Sequence, residues 1–236
     1  MCTVTYFPLK DKIVLTSNRD EKPNRSAQEI HHEKGIFYPK DATKNGTWFA
    51  VTKSGNAIVL LNGAFENHQR KTDYKKSRGL IVLDLIEEEN IFEHLQLIDL
   101  QNIESFTLVI FQENQLAEFR WDGTEKYFKM LDSHLPYIWS SATLYDNEVQ
   151  EKRNAIFKKF LENETINEEK IWDFHQQKTD DLENGITIKR QNTIQTISTT
   201  QVIIADEITL KHYDRLNLSS KTEKIFLKNE TQTSAS

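Results

Sequence analysis

The stretch that decides the fold is residues 1–21, MCTVTYFPLKDKIVLTSNRDE. Residues 3–7 and 13–16 are rich in β-branched and aromatic side chains, and residues 8–12 between them suit a turn. This pattern predicts a β-hairpin. Because the strands of a hairpin run antiparallel, the end of the second strand, at residues 17–21, is expected to return to the level of Cys2.

The polar residues at the end of this hairpin allow two interpretations. Asn18, Arg19, Asp20 and Glu21 directly follow an apolar segment, where polar side chains are costly to bury unless they are paired. They form either a site around Cys2 or a surface turn whose exposed ion pair adds little stability. In the first case, the Arg19 guanidinium favours a thiolate, and the Asp20 carboxylate holds an α-amine.

Cys2 is the single cysteine of the chain, and its position next to Met1 would allow it to act as an N-terminal nucleophile. If Met1 is removed, Cys2 carries an α-amine with a pKa of about 7.7–8.0 and a thiol with a pKa of about 8.5. The amine can take the thiol proton, sulfur attack gives an acyl intermediate, and the amine returns the proton to the leaving group. The alternative is an ordinary strand residue, since most free cysteines behave as small hydrophobes.

The rest of the chain is predicted as strands, helices, strands, helices and strands. We interpret the polar stretch 18–44 mostly as loop, with a second hairpin over 47–52 and 56–61. Apolar periodicity predicts helices from Ser77, over 91–97, over 147–161 and around 171–174. Strands are predicted over 106–111, 116–121, 126–130 and 138–141 as a meander, and over 193–204, 207–213 and 222–227.

This order lacks the regular β-α alternation of a parallel doubly wound sheet. It predicts one α+β domain with mostly antiparallel sheets over residues 1–228. Residues 229–236 are polar and are expected to form a frayed tail.

Composition excludes several classes of protein. The 236 residues are 37% hydrophobic and 28% charged, with 10% aromatic residues, which argues against wholesale disorder. The net charge of −6 argues against a nucleic-acid partner, and no apolar run reaches the roughly 18 residues that a membrane span requires. One cysteine allows no internal disulfide, and charged residues interrupt the first twenty, so we expect a cytoplasmic protein without a secretory signal.

Common cofactor and metal motifs are missing from the sequence. It contains no Gly-rich phosphate loop, no His-Glu-x-x-His and no Cys-x-x-Cys, so we expect neither a cofactor nor a metal. His31 and His32 are adjacent in a polar stretch and cannot share one helix face, so we interpret them as solvated.

Three segments resemble the NRDE family, also called the transport and Golgi organisation family after its eukaryotic members. They are Met1-Cys2-Thr3, Asn18-Arg19-Asp20-Glu21, and Asn45-Gly46-Thr47-Trp48 followed by residues 57–62. Ser77-Arg78-Gly79 also matches the Arg-Gly step of that family. The resemblance covers about the first eighty residues.

The resemblance implies a four-layer αββα sandwich of the N-terminal nucleophile hydrolases, near the bile-salt hydrolase and penicillin acylase branch. It implies hydrolysis of a non-peptide linear amide, a small-molecule partner, with Cys2 as nucleophile and, through its amine, as base. Arg19 would lower the thiol pKa, Asp20 would orient the amine, and Asn62 would donate to the oxyanion.

Two positions depart from the pattern that the resemblance implies. The superfamily usually offers a further Asn where this chain has Ser140-Ser141-Ala142, and often an Arg on a late strand where it has Ser198. A Ser hydroxyl does not replace a guanidinium charge, and Arg190 is a candidate substitute. The alternative function is a non-catalytic protein that binds a small hydrophobic ligand on the same scaffold, or haem, since the resemblance also implies haem handling, which has been proposed for members of the family.

Overall fold

The computed structural model describes residues 2–27, 29–163, 165–190 and 193–226, with Cys2 described by its backbone. The tail expected over 229–236 lies outside the described residues. The described strands are β1 (Cys2–Leu9), β2 (Lys12–Glu21), β3 (Ile30–Glu33), β4 (Ile36–Pro39), β5 (Phe49–Thr52), β6 (Ala57–Asn62), β7 (Phe106–Gln112), β8 (Gln115–Trp121), β9 (Lys126–Leu131), β10 (Tyr137–Ser140), β11 (Lys189–Arg190), β12 (Ile194–Ile204), β13 (Glu207–Asp214) and β14 (Ser219–Phe226). The described helices are α1 (Arg78–Ile86), α2 (Ile91–Leu97), α3 (Asn147–Leu161) and α4 (Glu168–Gln176).

The strands form two antiparallel sheets. The first sheet has the order β10-β1-β2-β12-β13-β14, with β11 paired to β12, and the second has the order β3-β4-β5-β6-β7-β8-β9. Every recorded strand pairing is antiparallel. The predicted α+β class is confirmed.

Strand β1 shows how the layers are stacked. Successive side chains of a strand point to opposite faces of a sheet. Val4 and Tyr6 are buried in the core shared with the second sheet, whereas Phe7 is buried against Phe157 and Phe174 of α3 and α4. Since α1 packs on β5 and β6 of the second sheet, and α3 and α4 pack on the first, the molecule is an αββα sandwich.

The interpretation of residues 18–44 as mostly loop is wrong. Strand β2 continues through Glu21, and β3 and β4 form a hairpin inside the same segment. The polar end of β2 can stay in a sheet because its groups find partners: the Asn18 side chain donates to the carbonyls of His175 and Ile186, at 2.9 and 3.0 Å. Buried polar side chains with partners do not terminate a strand.

The predicted four-strand meander is correct for its first three strands and wrong for the fourth. Strands β7, β8 and β9 are consecutive neighbours in the second sheet. Strand β10 crosses to the first sheet instead, where it pairs with β1 from Thr3 opposite Ser140 to Tyr6 opposite Tyr137. It thereby covers the edge of β1 that the first hairpin leaves open.

The second hairpin, the four helices and the three closing strands agree with the sequence prediction, whereas the short strand β11 was not predicted. The second hairpin forms as β5 and β6, and the four helices lie where apolar periodicity places them. Asp146 and Asn167 cap α3 and α4 by accepting hydrogen bonds from the backbone of Val149 and Lys170. Within the described segments, no helix combines the length and the apolar character needed to cross a membrane.

His175 is buried between α4 and the first sheet. Its side chain is fully inaccessible, and its Nε2 lies 2.8 Å from the Thr5 hydroxyl. Burial, together with the positive charges of Arg215 and Arg153, lowers the pKa of His175 to about 3. The imidazole is therefore neutral in the folded protein at any pH near 7.

Acidification is expected to destabilise the fold through His175. An unfolded histidine titrates near pH 6.5, so between about pH 6.5 and pH 3 the unfolded chain binds a proton that the folded chain does not, and the free energy of unfolding falls by up to about 1.4 kcal/mol per pH unit. From pH 7.5 to pH 5.0 this contribution amounts to about 2 kcal/mol. Urea unfolding at both pH values measures it. The loss should shrink by about this amount in His175→Gln, and an equal loss in both proteins would contradict the assignment.

Candidate active site

The first hairpin sets the geometry of the candidate site. Cys2 is in register with Arg19, and Thr3 is in register with Asn18. The predicted return of the second strand to the level of Cys2 is confirmed. The polar residues of β2 therefore meet the first residues of the chain across an antiparallel ladder.

The side chain of Arg19 is almost completely buried and is fixed by several contacts. Its Nη1 donates to the carbonyl of Arg25 at 2.6 Å, and its Nη2 pairs with Asp41 at 2.5 Å. Its guanidinium carbon lies 3.9 Å from the ring centroid of Trp48. An arginine held by two hydrogen bonds and an aromatic face has little rotational freedom, so its charge is positioned in advance.

Asp41 connects Arg19 to the loop that follows β4. Its carboxylate also pairs with Arg25 and accepts from the backbone N–H groups of Thr43 and Lys44, at 2.9 and 3.1 Å. Burial works to raise the pKa of Asp41, but the two guanidinium groups and the N–H donors outweigh it and lower the pKa. The carboxylate is ionised near neutral pH, and one loop is tied to the end of β2.

Two glycines let a second segment approach the same place. The N–H of Thr47 donates to the carbonyl of Gly79 at 3.1 Å. A Cβ on Gly46 would lie 2.5 Å from the Gly79 carbonyl carbon, and a Cβ on Gly79 would lie 2.7 Å from the Thr47 carbonyl oxygen. Only glycine allows backbone contacts this close. The Asn-Gly-Thr-Trp and Arg-Gly motifs are thus in direct backbone contact with each other.

A cleft of about 930 Å³ opens beside these segments, and both Arg19 and Asn62 line it. Asn62 is the last residue of β6, and its backbone carbonyl accepts a hydrogen bond from the Ser141 hydroxyl at 2.8 Å. The following residue, Gly63, has a φ of 80° and accepts from the Thr107 hydroxyl at 2.8 Å. Ser141, where the resemblance implies an asparagine, thus fixes the strand end that carries Asn62.

Asp20 lies apart from Arg19 and Asn62. Because side chains alternate along β2, its carboxylate is on the opposite face of the sheet from Arg19. It accepts hydrogen bonds from the Tyr145 hydroxyl at 2.8 Å and from the Thr196 hydroxyl at 2.6 Å. Burial raises the pKa of Asp20, while the charge of Arg153 and the two hydroxyl donors act against that rise.

Arg153 of α3 completes the environment of Asp20. Its guanidinium is fully buried, donates to Thr3 Oγ1 at 2.7 Å and to the Asn184 carbonyl at 3.0 Å, and lies 3.6 Å from the ring centroid of Tyr145. It also donates to the carbonyl of Gly185. One arginine therefore joins α3, the start of β1 and the loop before β11.

The two departures from the implied pattern have different surroundings. Ser198 is in register with Arg19 next to a β-bulge, and its buried hydroxyl has no hydrogen-bond partner among the described residues. Arg190 donates to the carbonyls of Glu183 and Leu144, at 2.9 and 3.1 Å, and does not line the cleft. The structure does not bring Arg190 to the position of Ser198.

Sequence reasoning missed Asp41, Trp48, Tyr145 and Arg153 as partners of the predicted residues. Arg153 did leave a signal, because it precedes Phe157 by one helical turn and so interrupts the apolar face of α3 with a charge. Trp48 belongs to the Asn-Gly-Thr-Trp motif, but the sequence of that motif does not indicate that its ring packs on Arg19. Asp41 and Tyr145 lie in loops, where spacing carries no structural information.

The two adjacent histidines are on strand β3. His31 stacks on Tyr38 with ring centroids 5.9 Å apart, and His32 stacks on Phe37 at 4.1 Å. Within the described ranges, no group of three or more His, Cys, Asp or Glu residues is arranged to hold a metal ion.

Comparisons with known proteins agree with this fold. The sequence model of the family described as "Transport and Golgi organisation 2" matches residues 1–233. No curated protein matches the sequence significantly. A Caenorhabditis elegans ortholog of N-acylethanolamine-hydrolyzing acid amidase is similar in structure, with a TM-score of 0.58 and 13% identity over 85% of this chain and 92% of that chain.

A second similar structure is a variant of conjugated bile acid hydrolase from Clostridium perfringens. It has a TM-score of 0.62 and 9% identity over 94% of this chain and 92% of that chain. At these identities the likeness is one of fold. Together with the two stacked antiparallel sheets, it establishes the fold as that of the N-terminal nucleophile hydrolases.

Proposed function

The chain belongs to the transport and Golgi organisation 2 family, and we propose that it hydrolyses a linear, non-peptide amide bond with Cys2 as N-terminal nucleophile. Removal of Met1 would leave the α-amine of Cys2 as the base. Attack by the thiolate forms a thioester with the acyl group and expels the amine, which takes a proton from the α-ammonium. Water then cleaves the thioester and restores the thiol.

The observation that carries this proposal is the register of the first hairpin. Residues directly opposite each other in an antiparallel pair share one face of a sheet. Cys2 is opposite Arg19, and the Arg19 side chain lines the cleft that Asn62 also lines. This supports a thiol that reacts beside a fixed positive charge and at the edge of a cavity large enough for a small molecule.

The proposed roles of the other residues follow from their chemistry. Arg19 favours the thiolate by its charge. The Asn62 side-chain amide donates to the oxyanion of the tetrahedral intermediate, a contribution typically worth about 3–4 kcal/mol. It is available for this because none of the described residues hydrogen-bonds it. Asp20, fixed by Tyr145 and Thr196, orients the α-amine from the other face of β2.

The fold relatives suggest which amides to try first. One is named as hydrolysing N-acylethanolamines and the other as hydrolysing conjugated bile acids. Both kinds of substrate are linear amides of a bulky acyl group with a small amine. We therefore propose N-acyl derivatives of small amines as the substrate class.

The experiment that tests the proposal starts at the N-terminus of untagged protein made from the native start codon. A cyanobenzothiazole dye condenses only with a cysteine that has both a free α-amine and a free thiol. We expect an intact mass without Met1, stoichiometric labelling by the dye, and release of amine from a panel of N-acyl glycines, taurines and ethanolamines. Retention of Met1 would exclude the mechanism.

The alternative function predicts a different result from the same preparation. A non-catalytic protein that handles a hydrophobic ligand or haem binds members of a ligand panel without releasing amine. A saturable change in visible absorbance on titration with haem, with no turnover of any amide, would favour that alternative.

A further inference from the structure

The cleft is strongly basic although the chain as a whole is acidic. Eight Lys and Arg side chains line it against three carboxylates, whereas the whole chain has a net charge of −6. A cleft lined by one sign of charge concentrates ions of the other sign, because its low-dielectric walls focus the field. The distribution of the ion pairs decides where that excess charge is available.

Two of the arginines that line the cleft are paired with carboxylates. Arg19 and Arg25 share Asp41, and Arg25 also pairs with Glu21. Two guanidinium groups and two carboxylates leave this group nearly neutral overall. It therefore positions Arg19 without supplying much free charge to a ligand.

A second group of lining residues, around Glu104, has more cations than carboxylates. Glu104 is 3.2 Å from Arg78 and 3.6 Å from Arg70, so one carboxylate serves two guanidinium groups. Burial lowers the pKa of Arg78 to about 10, and Glu104 opposes this while the positive charges of Arg70 and Arg25 add to it. Arg78 remains charged near pH 7 and shares the Glu104 carboxylate with Arg70.

Three lysines of the lining have no ion pair at all among the described residues. Lys22, Lys44 and Lys71 are exposed, whereas Lys76 of the same lining pairs with Asp84. Along the chain, Lys22 directly follows Glu21, Lys44 is three residues after Asp41, and Lys71 directly follows Arg70. The unpaired charge therefore comes from three separate segments of the chain.

Unpaired hydrogen-bond donors give a second, independent indication. The side chains of Arg25, Trp48 and Ser77 all line the cleft. Each side chain has one buried polar atom without a hydrogen-bond partner among the described residues. These atoms are Arg25 Nε, Trp48 Nε1 and Ser77 Oγ. A buried donor without an acceptor is costly, and an anionic ligand consists of acceptors.

We infer that the substrate of this cleft carries a carboxylate or a phosphate group besides its amide bond. That the ligand is a substrate rests on the proposed function, whereas the anion-binding property of the cleft rests on its lining residues alone. Lys22, Lys44 and Lys71 attract the charged group to the cleft. Arg70 and Arg78 then contact it, because they share a single carboxylate.

Two pairs of probes separate the charge of the ligand from its shape. N-octanoylglycine and N-octanoylethanolamine place a carboxylate or a hydroxyl on the amine side. Glutaranilic acid and pentananilide place a carboxylate or a methyl group on the acyl side. Calorimetric titration of the Cys2→Ala protein measures binding without turnover. We expect one of the two anionic probes to bind at least about ten-fold tighter than its neutral partner at low salt, and the preference to shrink as salt screens the charges.

Charge reversal of single lysines tests the position of the site. Lys22→Glu, Lys44→Glu and Lys71→Glu should each weaken binding of the preferred anion by about five-fold and leave the neutral probe unchanged. Lys158→Glu, an exposed lysine on α3 outside the cleft, is the matched control and should change neither. The inference is overturned if anionic and neutral probes bind equally, or if the control weakens the anion as much as the cleft variants do.

The outcomes keep this inference apart from the proposed function. Tight binding of anions without any hydrolysis by the wild-type protein would remove the proposed enzyme and leave an anion-binding cleft. Hydrolysis of neutral amides in preference to their anionic partners would support the enzyme and remove this inference.

Discussion

Replacing Arg153 with methionine is expected to lower the free energy of unfolding by about 3–5 kcal/mol. That is a large share of the roughly 5–15 kcal/mol by which proteins are stable. The methionine keeps most of the volume of the side chain but removes its charge and its donors. The effect therefore reports on the polar contacts of Arg153 rather than on a cavity.

The physical reason lies in what the substitution leaves behind. The buried guanidinium donates to the carbonyls of Asn184 and Gly185 and to the hydroxyl of Thr3, and all three lose a donor in the variant. The charge of Arg153 also opposes the burial that raises the pKa of Asp20. Unpaired buried polar groups cost about 1–3 kcal/mol each, and several lost contacts together exceed the cost of one.

Urea unfolding followed by circular dichroism measures the change. Lys158→Met, on the exposed face of the same helix, is the matched control, and we expect it to lie within about 0.5 kcal/mol of the wild type. Arg153→Lys retains the charge but loses the planar fork, so it should fall between wild type and Arg153→Met. If Arg153→Met does not fold, Arg153→Lys still provides the measurement. Stability equal to that of the wild type in Arg153→Lys and Arg153→Met would show that this network does not hold the fold.

The backbone framework could largely be predicted from the sequence. The hairpin over residues 1–21 follows from β-branched residues around a turn, and its register needs only the position of that turn. Helix positions follow from apolar periodicity, and the antiparallel class follows from the order of the elements. These features depend on residues that are close together in the sequence, so they can be predicted from it.

The partners inside the site could not be predicted, because they come from distant parts of the chain. Asp41 reaches Arg19 across 22 positions of sequence, and Tyr145 reaches Asp20 across 125 positions. The partners of Asn18, at the polar end of β2, lie on α4 and in the loop before β11. Spacing along the chain carries no information about such contacts.

The separation of Arg19 and Asp20 onto opposite faces of β2 is the main result that sequence reasoning did not foresee. The tetrapeptide Asn18-Arg19-Asp20-Glu21 suggested one cluster. Alternation along a strand separates its members instead, with Arg19 toward the cleft and Asp20 toward α3. Under the proposed mechanism, Cys2 at the start of β1 would be assisted by the charge of Arg19 from one face of β2 and by the buried Asp20 carboxylate from the other.

If the proposed chemistry is correct, Cys2→Ala is expected to lower the hydrolysis rate by about 10³-fold or more, because no other group can form the acyl intermediate. Asn62→Ala is expected to lower kcat by about 10²- to 10³-fold, the usual result of removing one oxyanion donor. Asn62→Ala should alter the urea midpoint little, since Asn62 is only partly buried and its amide has no partner among the described residues.

Asn67→Ala is the matched control for Asn62→Ala, because both asparagines line the cleft and only Asn62 terminates β6. A loss in kcat that is common to both variants would indicate a general effect on the cleft. A loss confined to Asn62→Ala, with KM nearly unchanged, identifies an interaction made in the transition state, since an interaction made equally with bound substrate would appear in KM. Residual hydrolysis by Cys2→Ala at the wild-type rate would remove the nucleophile assignment, and with it the proposed roles of Arg19 and Asp20, because both are defined by what they do to Cys2.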